Sequence, residues 1–464
     1  MVHKNLNRHL AFIILSILIQ LLNIVYGQAY IPKPRIGAAA VYIQSEFRLY
    51  YIGGYTYNVS DILANPTSDL FYLDCNPYSN TFFTWTDLKS QGVNIPPTVS
   101  LTANLEGVNQ DSIFIIGGQH ILKQSNEDYF YKYDIITNEM SIPVIQGKAP
   151  PARGGVNSVS YEGKIYMFGG IAPNADSNIP IFFNNFDILD TVNLNWQVGS
   201  TVNSPITRSG YTATLVNGVI YYIGGRTAQY TFSPMSEIYQ YDILGDKWSL
   251  KTAAFADAQA IPGPRNAHSA VLYNDKIFVY GGAYFNGDTS YELPPKEIIA
   301  MLDTTTLVWS IPQINGTTDM PNLVYHTATL MYATMVVSFG NITGMPDNED
   351  RSNKLSYLFY LDLPIQWNPI PTPTNKISNI TTETPVATSD TTPLPSSSPN
   401  KMVIVGVSVG LVVFIGTIFL VCSLVYRRMN KNKIKTGEGS SQANGQDALN
   451  EIRIQSLSGD SVEK

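Results

Sequence analysis

A glycine pair that closes a short apolar segment recurs along the chain and limits the folds open to it. The segment TRSGYTATLVNGVIYYIGG (residues 207–225) alternates apolar residues, continues into β-branched and aromatic residues, and ends on two glycines. Similar pairs stand at Gly53-Gly54, Gly117-Gly118, Gly169-Gly170 and Gly281-Gly282. A weaker copy is YHTATLMYATMVVSFGN, where we assign Gly340-Asn341 to the place of the pair. The interval of 52 to 64 residues between copies indicates a repeat architecture.

Each copy has a second half in which an aspartate precedes a tryptophan. The spacing is six residues for Asp190 and Trp196, for Asp242 and Trp248, and for Asp303 and Trp309. The other copies vary it: Asp362 and Trp367 are closer, Asp74 and Trp85 are farther apart, and Asp134 is followed by Met140 instead. This pattern predicts four short strands per unit, with glycine ending the second, aspartate bonding turn N–H groups, and tryptophan filling the gap between sheets.

One such sheet cannot bury both faces by itself, whereas sheets arranged radially bury each other. The pattern resembles the kelch repeat, as found in the propellers of galactose oxidase and attractin, over roughly residues 30 to 367. The resemblance implies an all-β fold, a six-bladed kelch-type β-propeller at residues 28–367. Periodicity does not indicate how the ring closes.

The chain ends predict a membrane protein. Residues 1–27 have Lys4 and Arg8 before a short apolar run, which is typical of a signal peptide cut after Gly27; an uncleaved anchor is the alternative. Residues 402–426 carry no charge and predict one transmembrane helix, and five basic residues follow it within residues 427–435. We therefore expect a single-pass type I protein of the plasma membrane, with the propeller outside the cell.

Two further segments flank the predicted span. Residues 368–401 are rich in Pro, Thr and Ser and are typical of a disordered, O-glycosylated stalk. Residues 427–464 predict a disordered cytoplasmic tail. Gly406 and Gly410 are a candidate contact for helix-mediated dimers. Acceptor sequences for N-glycosylation occur at Asn58, Asn315, Asn341 and Asn379, and we expect less modification of Asn341 because we place it at a glycine position.

Charge and cysteine content narrow the function classes. After the leader (2 basic residues) and the span with its tail (7 basic, 5 acidic), residues 28–401 keep 20 of the 29 basic and 31 of the 36 acidic residues, a formal net charge of −11. This argues against nucleic acid and anionic lipid as partners. Cys75 is the only cysteine outside the predicted span, so an intrachain disulfide is excluded there. We expect a buried thiol, with an intermolecular bridge as the alternative.

The resemblance also raises a copper radical oxidase, because galactose oxidase holds copper with two Tyr and two His, one Tyr being cross-linked to Cys. Tyr211, Tyr325 and His326 match parts of that pattern, and His268 is a further first-strand histidine. Cys75, however, is placed at the outer edge of the first blade, away from the axis. We therefore expect no catalysis, no metal and no cofactor. Structural roles are one interpretation of both histidines; the other is that Tyr211, His268, Tyr325 and His326 contribute to a ligand-binding site.

Four arginines begin the first strands of their units: Arg35, Arg153, Arg208 and Arg265. Thr98 and Leu323 hold the matching places in the second and sixth units. We expect these arginines near the mouth of the axial channel, where they either bond loop carbonyls and carboxylates or bind an anionic ligand. Long loops rich in Tyr, Phe, Asn and Ser follow the glycine pairs on the same face.

These features predict a cell-surface propeller that binds an extracellular protein or a glycan. A membrane-tethered carbohydrate-acting enzyme is the first alternative. The second is a scaffold that recruits cytoplasmic partners through its tail. The identity of the ligand does not follow from the sequence.

Overall fold

The computed structural model describes residues 30–58, 61–78, 83–119, 129–174, 176–257, 261–286, 292–313, 320–344, 358–362 and 366–369. In this part of the chain the regular structure is β-strand, apart from one short 3-10 helix, Lys89–Gln91. The all-β prediction is therefore confirmed for these residues.

Five large sheets have the predicted four antiparallel strands. Blade 1 contains β2 (Ala39–Ile43), β3 (Arg48–Ile52), β6 (Leu70–Asp74) and β7 (Trp85–Asp87); blade 2 contains β8 (Val99–Glu106), β9 (Ser112–Gln119), β10 (Phe130–Asp134) and β11 (Glu139–Ser141). Blade 3 contains β12 (Val159–Tyr161), β13 (Lys164–Phe168), β16 (Phe186–Asp190) and β17 (Asn195–Val198); blade 4 contains β18 (Thr212–Val216), β19 (Val219–Ile223), β22 (Glu237–Asp242) and β23 (Lys247–Thr252). Blade 6 contains β30 (Thr327–Met331), β31 (Thr334–Ser338), β33 (Leu358–Asp362) and β34 (Gln366–Pro369).

The remaining large sheet, blade 5, has five strands. Its four antiparallel strands are β25 (Ser269–Tyr273), β26 (Lys276–Tyr280), β27 (Ile299–Asp303) and β28 (Val308–Ser310). The fifth, β24 (Ala254–Phe255), belongs to the linker from blade 4 and pairs with β28 in parallel. The expectation of uniform four-stranded blades therefore holds for five sheets and is wrong for this one.

Smaller sheets stand at the end of the blades where second strands stop. They comprise β1 (Arg35–Ile36) with β4 (Tyr55–Asn58) and β5 (Asp61–Pro66), β14 (Ile171–Asn174) with β15 (Ser177–Phe182), β20 (Arg226–Ala228) with β21 (Thr231–Phe232), and β29 (Leu323–Val324) with β32 (Asn341–Ile342). The surface formed by these small sheets and the loops between second and third strands is called the loop face below.

The glycine pair is explained by contacts between successive blades. A Cβ atom on the first glycine, Gly53, would lie 2.6 Å from the carbonyl oxygen of Thr98 in the next blade, and φ at Gly53 is +63°. The second glycine of each pair donates its N–H to that same carbonyl position at 2.7–3.0 Å. The six bonds are Gly54 to Thr98, Gly118 to Arg153, Gly170 to Arg208, Gly225 to Arg265, Gly282 to Leu323 and Gly340 to Arg35. Thr98 and Leu323 thus hold the places of the arginines, as predicted.

Blade 6 departs from the assignment made on its sequence. Gly340 makes the bond of a second glycine, so the pair is Phe339-Gly340 and not Gly340-Asn341. Phe339 adopts φ of +61°, which is the conformation of a first glycine. The sequence assignment was wrong by one residue because a phenylalanine with positive φ is rare, so Phe339 was not expected at a glycine position.

A closed ring of backbone hydrogen bonds joins the first strands of all six sheets. We call it the axial ring; its members are Gly37, Ser100, Gly155, Gly210, Ala267 and Tyr325. Each N–H donates to the carbonyl of the preceding member at 2.7–3.1 Å, and Gly37 closes the ring on Tyr325. All six residues have φ between +50° and +66°. The ring closes without exchanging a strand between its two ends, since every blade from 1 to 6 is built from consecutive chain.

Apolar contacts between blades form the core. Trp196 packs on Phe130 of blade 2, with ring centroids 4.7 Å apart, and Trp248 packs on Phe168 of blade 3 at 5.1 Å. The predicted role of tryptophan as filler between sheets is confirmed at these positions. Aspartates also act as predicted: Asp303 Oδ1 accepts the N–H groups of Thr305 and Thr306 at 3.0 and 2.9 Å.

Several predicted segments lie outside the described residues. They are the signal peptide 1–27, nearly all of the stalk 368–401, the span 402–426 and the tail 427–464. No helix in the described part of the chain has the length and apolar character of a membrane span. The last strand ends at Pro369, two residues beyond the predicted end of the propeller.

Candidate functional site

Arg35 and Arg265 are held in the same way, each inside its own blade. The Nε–H of each donates to the carbonyl oxygen two residues earlier, at 3.2 Å for Arg35 and 3.1 Å for Arg265. Nη1 donates to the carbonyl of the blade's first glycine, Gly53 at 3.0 Å or Gly281 at 3.1 Å. These bonds fix the guanidinium groups against the end of the second strand.

Three of the four arginines also face a carboxylate near the start of the third strand. The partners are Asp69 for Arg35 at 2.9 Å, Asp187 for Arg153, and Glu297 for Arg265 at 3.9 Å. Burial lowers the pKa of Arg265 to about 10, while the charge of Glu297 opposes that shift. These arginines therefore tie the first, second and third strands of one blade together.

Arg208 in blade 4 is held differently. Among the described residues no carboxylate lies within 4.0 Å of its guanidinium, and its Nε and Nη1 have no hydrogen-bond partner. The guanidinium lies over the ring of Tyr239 instead, 4.9 Å from its centroid. Burial is the main cause of a lowered pKa of Arg208. Blade 4 consequently buries a cation that the described residues leave without a counter-ion in contact.

All four arginines are buried, with exposures of 0% for Arg35 and Arg265, 1% for Arg208 and 5% for Arg153. The expectation that they line an open channel mouth does not match this placement. Arg35 and Arg265 turn into the blade toward the first glycine's carbonyl and a carboxylate near the third strand, Arg153 turns toward Asp187, and Arg208 turns toward the Tyr239 ring. For Arg35, Arg153 and Arg265 the structure supports the alternative of bonding to carbonyls and carboxylates.

Tyr211, His268 and His326 occupy one equivalent first-strand position and each contacts the preceding blade. The Tyr211 hydroxyl donates to the carbonyl of Phe168. Nε2 of His268 bonds Thr212 Oγ1 at 3.2 Å, and Nε2 of His326 bonds Ser269 Oγ at 2.7 Å. Burial lowers the pKa of both histidines, to about 3 for His326. For the two histidines these bonds agree with the structural interpretation of the sequence, and a ligand-binding role of Tyr211, His268 and His326 stays a prediction.

Tyr325 belongs to the axial ring and also reaches the loop face. Its hydroxyl donates to Oε1 of Glu292 at 2.6 Å. Its backbone has φ of +56° because its N–H and carbonyl both serve the axial ring. Tyr325 therefore links the centre of the propeller to the blade 5 loop.

Cys75 lies where the sequence placed it, beyond the third strand of blade 1. It is buried beside Tyr51 and Phe71, and its thiol donates to the Leu73 carbonyl at 3.5 Å. Burial raises the pKa of the Cys75 thiol to about 12. The Cys75 thiol is therefore neutral and packed, in agreement with the buried thiol expected from the sequence. Within the described ranges, no three His, Cys, Asp or Glu side chains are grouped as a metal site.

The loop face carries exposed and half-buried apolar side chains on blades 3, 4 and 5. We call this set the aromatic strip and define it by Ile179, Ile181, Phe182, Tyr230 and Phe285. Exposure is 59% for Ile179, 44% for Ile181 and 65% for Tyr230. The rings of Tyr230 and Phe285 meet edge to face at 5.9 Å, which joins the blade 4 hairpin to the blade 5 loop.

Arg226 contacts the blade 3 end of the aromatic strip through Phe182. Its guanidinium lies 5.8 Å from the centroid of Phe182, so it links the hairpins β20–β21 and β14–β15. Its Nη1 donates to the Gln229 carbonyl at 3.4 Å, and no carboxylate of the described chain lies within 4.0 Å of it. Its backbone pairs with Ser209, the residue after Arg208. Sequence reasoning noted the loop composition but missed Arg226, because contact between loops of different blades leaves no local signal.

The predicted glycosylation sites are only partly covered. Asn315 and Asn379 lie outside the described residues. Asn58 ends β4 on the loop face. Asn341 begins β32 and is half-buried, and it follows the glycine position instead of occupying it. The reason given for reduced modification of Asn341 was therefore wrong.

Comparison with known proteins agrees with this geometry. A family model described as the KLHDC2/KLHL20/DRC7 Kelch-repeats domain matches residues 37–282, which is more than half of the 464-residue chain. The chain belongs to the kelch-repeat family. The predicted resemblance is confirmed for the repeats and for the propeller.

Curated relatives match part of this kelch protein. Kelch domain-containing protein 3 of Rattus norvegicus is 32% identical over 178 residues, covering 37% of the chain and 44% of the relative. The Homo sapiens protein of the same name is 31% identical over 178 residues with the same coverage. Host cell factor 1 of Homo sapiens is 24% identical over 236 residues, 48% of the chain and 11% of that protein. The chain thus spans less than half the length of these relatives.

Proposed function

We propose that this kelch propeller is a binding protein, and that its aromatic strip contacts an acidic segment of a partner protein. The observation that carries the proposal is the set of exposed apolar side chains on the loop face, Ile179, Ile181 and Tyr230. Large exposed apolar patches rimmed by polar residues mark interaction surfaces. Tyrosine, phenylalanine and arginine are the side chains enriched at the centres of protein interfaces.

The acidic character of the partner is argued from Arg226 and Arg208. Arg226 lies beside Phe182 of the strip, and no carboxylate of the described residues is within 4.0 Å of it. Buried Arg208, on which Glu237 acts only at longer range, lies next in the chain to Ser209, the backbone partner of Arg226. A carboxylate of the partner would pair with Arg226 through its two-pronged guanidinium. The aliphatic Ile179 and Ile181 favour a protein over a glycan, because neither side chain offers hydrogen bonds to sugar hydroxyls.

We further propose that the partner is extracellular. The support is sequence: residues 1–27 have the composition of a signal peptide, and residues 402–426 that of a span followed by basic residues. In this arrangement the propeller stands outside the cell on the stalk 368–401. A glycan ligand is kept as an outcome of the experiment below.

The test is photo-crosslinking with the full-length chain in its own cells. Tyr230 is replaced by a photoreactive benzoyl-phenylalanine, and cross-linked products are identified by mass spectrometry. The matched control carries the same group at Tyr78, which is 90% exposed and lies in a turn at the opposite end of blade 1. We expect discrete adducts from position 230 that are absent from position 78. In an Arg226→Glu background the adducts from position 230 should fall at least about tenfold, which corresponds to a loss of about 1.4 kcal/mol of binding free energy.

Other results would decide against the proposal. Equal adducts from both positions, or adducts that Arg226→Glu leaves unchanged, would show that the strip does not select an acidic partner. An adduct that glycosidase treatment removes would assign a glycan. No adduct from position 230 would mean that the strip does not bind in cells.

A further inference from the structure

The outer strand of blade 2, β11, borders a groove of about 600 Å³ on the side of the propeller. Gly92, Val93 and Asn94 of the preceding linker form the opposite wall, and Met140 lies in the β11 wall. The groove is open to solvent and its lining is mostly polar, with Val93 and Met140 as its apolar members. The groove is remote in the chain from the aromatic strip and is unused by the proposed function.

Two other blades show what fits beside an outer strand. In blade 3 the linker residue Gln146 donates its N–H to Leu194 at 2.8 Å and accepts the N–H of Trp196 at 2.9 Å. In blade 5, Ala254 donates to Leu307 at 2.8 Å and Ala256 donates to Trp309 at 2.9 Å. Both linker segments run parallel to the outer strand. The protein therefore adds its own extended chain to two outer edges.

Blade 2 presents the same edge without an added strand. Asn138, Leu194 and Leu307 are equivalent: each lies two residues before the Met or Trp of its blade and has a left-handed φ of 59°, 49° and 56°. By this equivalence, the backbone groups of β11 that point away from blade 2 are the carbonyl of Asn138 and the N–H and carbonyl of Met140. Within the part of the chain that the structure describes, no linker residue bonds these groups. An exposed strand edge of this kind pairs readily with another chain.

Methionine stands in the outer strand of blade 2 where blades 3, 4 and 5 carry tryptophan. In blade 4, the Trp248 Nε1–H donates to Ser200 of the linker at 2.6 Å and draws that linker onto the blade. Met140 has no N–H in its side chain and is smaller than an indole. The linker at Gly92–Asn94 therefore has no such bond to the outer strand, and space remains between them.

We propose that this groove binds an extended segment of a partner protein, which adds to β11 as a parallel strand. The parallel direction follows from the linkers of blades 3 and 5. In blade 5, Phe255 lies opposite Trp309 and packs into the core between blades. The bound segment accordingly carries an apolar side chain opposite Met140. Main-chain hydrogen bonds supply affinity in such strand addition, and the side-chain pocket supplies selectivity.

The probe is a phage-displayed library of random peptides, selected on the purified full-length chain. Selected peptides should protect the Met140 amide from hydrogen–deuterium exchange. Met140→Trp and Asn94→Trp, which each place a larger side chain in the groove, should each weaken their binding at least about tenfold. Met140→Leu and Val202→Trp are the controls and should bind as the wild type does. Val202 is 71% exposed on the equivalent linker of blade 4.

The proposal is overturned if no selected peptide depends on Met140 and Asn94, or if none protects the Met140 amide. Peptides that lose binding with Arg226→Glu and keep it with Met140→Trp would belong to the loop face. That result would reject the groove and leave the proposed function standing. Thermal unfolding of each variant confirms that the groove variants are folded.

Discussion

His268 and His326 are buried neutral side chains whose ring Nε2 atoms bridge adjacent blades. Each has Nε2 bonded to a hydroxyl of the preceding blade, and a backbone hydrogen bond, to Ile223 for His268 and to Leu323 for His326, opposes the effect of burial only in part. Burial holds the pKa of both rings below their ordinary value of 6.5. Protonation would place an uncompensated charge between two blades, so these residues make the propeller sensitive to acid.

The sign of this sensitivity follows from proton linkage. The folded pKa of His326, about 3, is lower than its unfolded value, so the unfolded state binds more protons between these two values. Stability is complete above pH about 6.5 and falls as the pH is lowered toward 3. From pH 7 to pH 5 we expect His326 to cost about 2 kcal/mol of unfolding free energy. Urea unfolding at the two pH values measures this loss.

The matched variant is His326→Gln, which retains a side-chain amide near the Nε2 position but does not titrate. Between pH 7 and pH 5 the variant should lose about 2 kcal/mol less than the wild type. If both lose the same amount, His326 does not titrate differently in the folded and unfolded states, and the structural account of its burial is wrong.

The glycine pairs show how far single residues could be predicted. Local sequence was sufficient at Gly53, because a required positive φ and a close carbonyl both exclude side chains. It was insufficient at Phe339, whose left-handed backbone is held by contacts with the first blade. The sequence identified the arginines but not the carboxylates that they contact. Asp69, Asp187 and Glu297 stand at different distances from the start of the third strand in their blades, so they form no repeated pattern.

At the scale of elements, Phe339 is the side chain that seals blade 6 against blade 1. Its ring meets Tyr51 edge to face at 5.2 Å and Phe71 at 6.1 Å. Phe339→Gly relieves the left-handed backbone by about 1–2 kcal/mol and removes a buried ring worth about 3–5 kcal/mol. We expect a net loss of about 2 kcal/mol in unfolding free energy, measured by chemical denaturation.

Ala267→Gly is the control for this prediction. Ala267 has the same kind of backbone, with φ of +50°, and only a methyl group as side chain. We expect this variant to be as stable as the wild type or slightly more stable. A Phe339→Gly protein that is also as stable as the wild type would show that the ring does not seal the propeller.

The elements that the sequence missed are those formed between units. Strand β24 pairs with β28 through backbone atoms, and its Ala254 and Phe255 resemble ordinary linker residues. The aromatic strip arises because Phe182, Arg226, Tyr230 and Phe285 come from three consecutive blades and meet only in the folded ring. The periodicity of the sequence predicts only the features that all units share, and these contacts occur between particular units.

At the scale of the whole molecule, the axial ring explains how consecutive units become one closed propeller. The N–H of Gly37 reaches Tyr325 at 2.8 Å, and the hydroxyl of Tyr51 bonds Ser338 at 2.6 Å. First and last blades therefore meet through the same backbone bond that joins any other pair. Because no strand is exchanged, the described chain enters and leaves the ring at neighbouring blades.

The last prediction concerns the orientation of the whole chain in a membrane. Residues 402–426 would form a helix of about 37 Å at 1.5 Å per residue, longer than a hydrocarbon core of about 30 Å, and five basic residues follow it within residues 427–435. Protease added to intact cells should cut the stalk 368–401, release the propeller and leave a C-terminal tag protected. The tag should be digested only after the cells are permeabilised. Digestion of the tag with a protected propeller would reverse the orientation, and protection of both parts would place the propeller inside the cell.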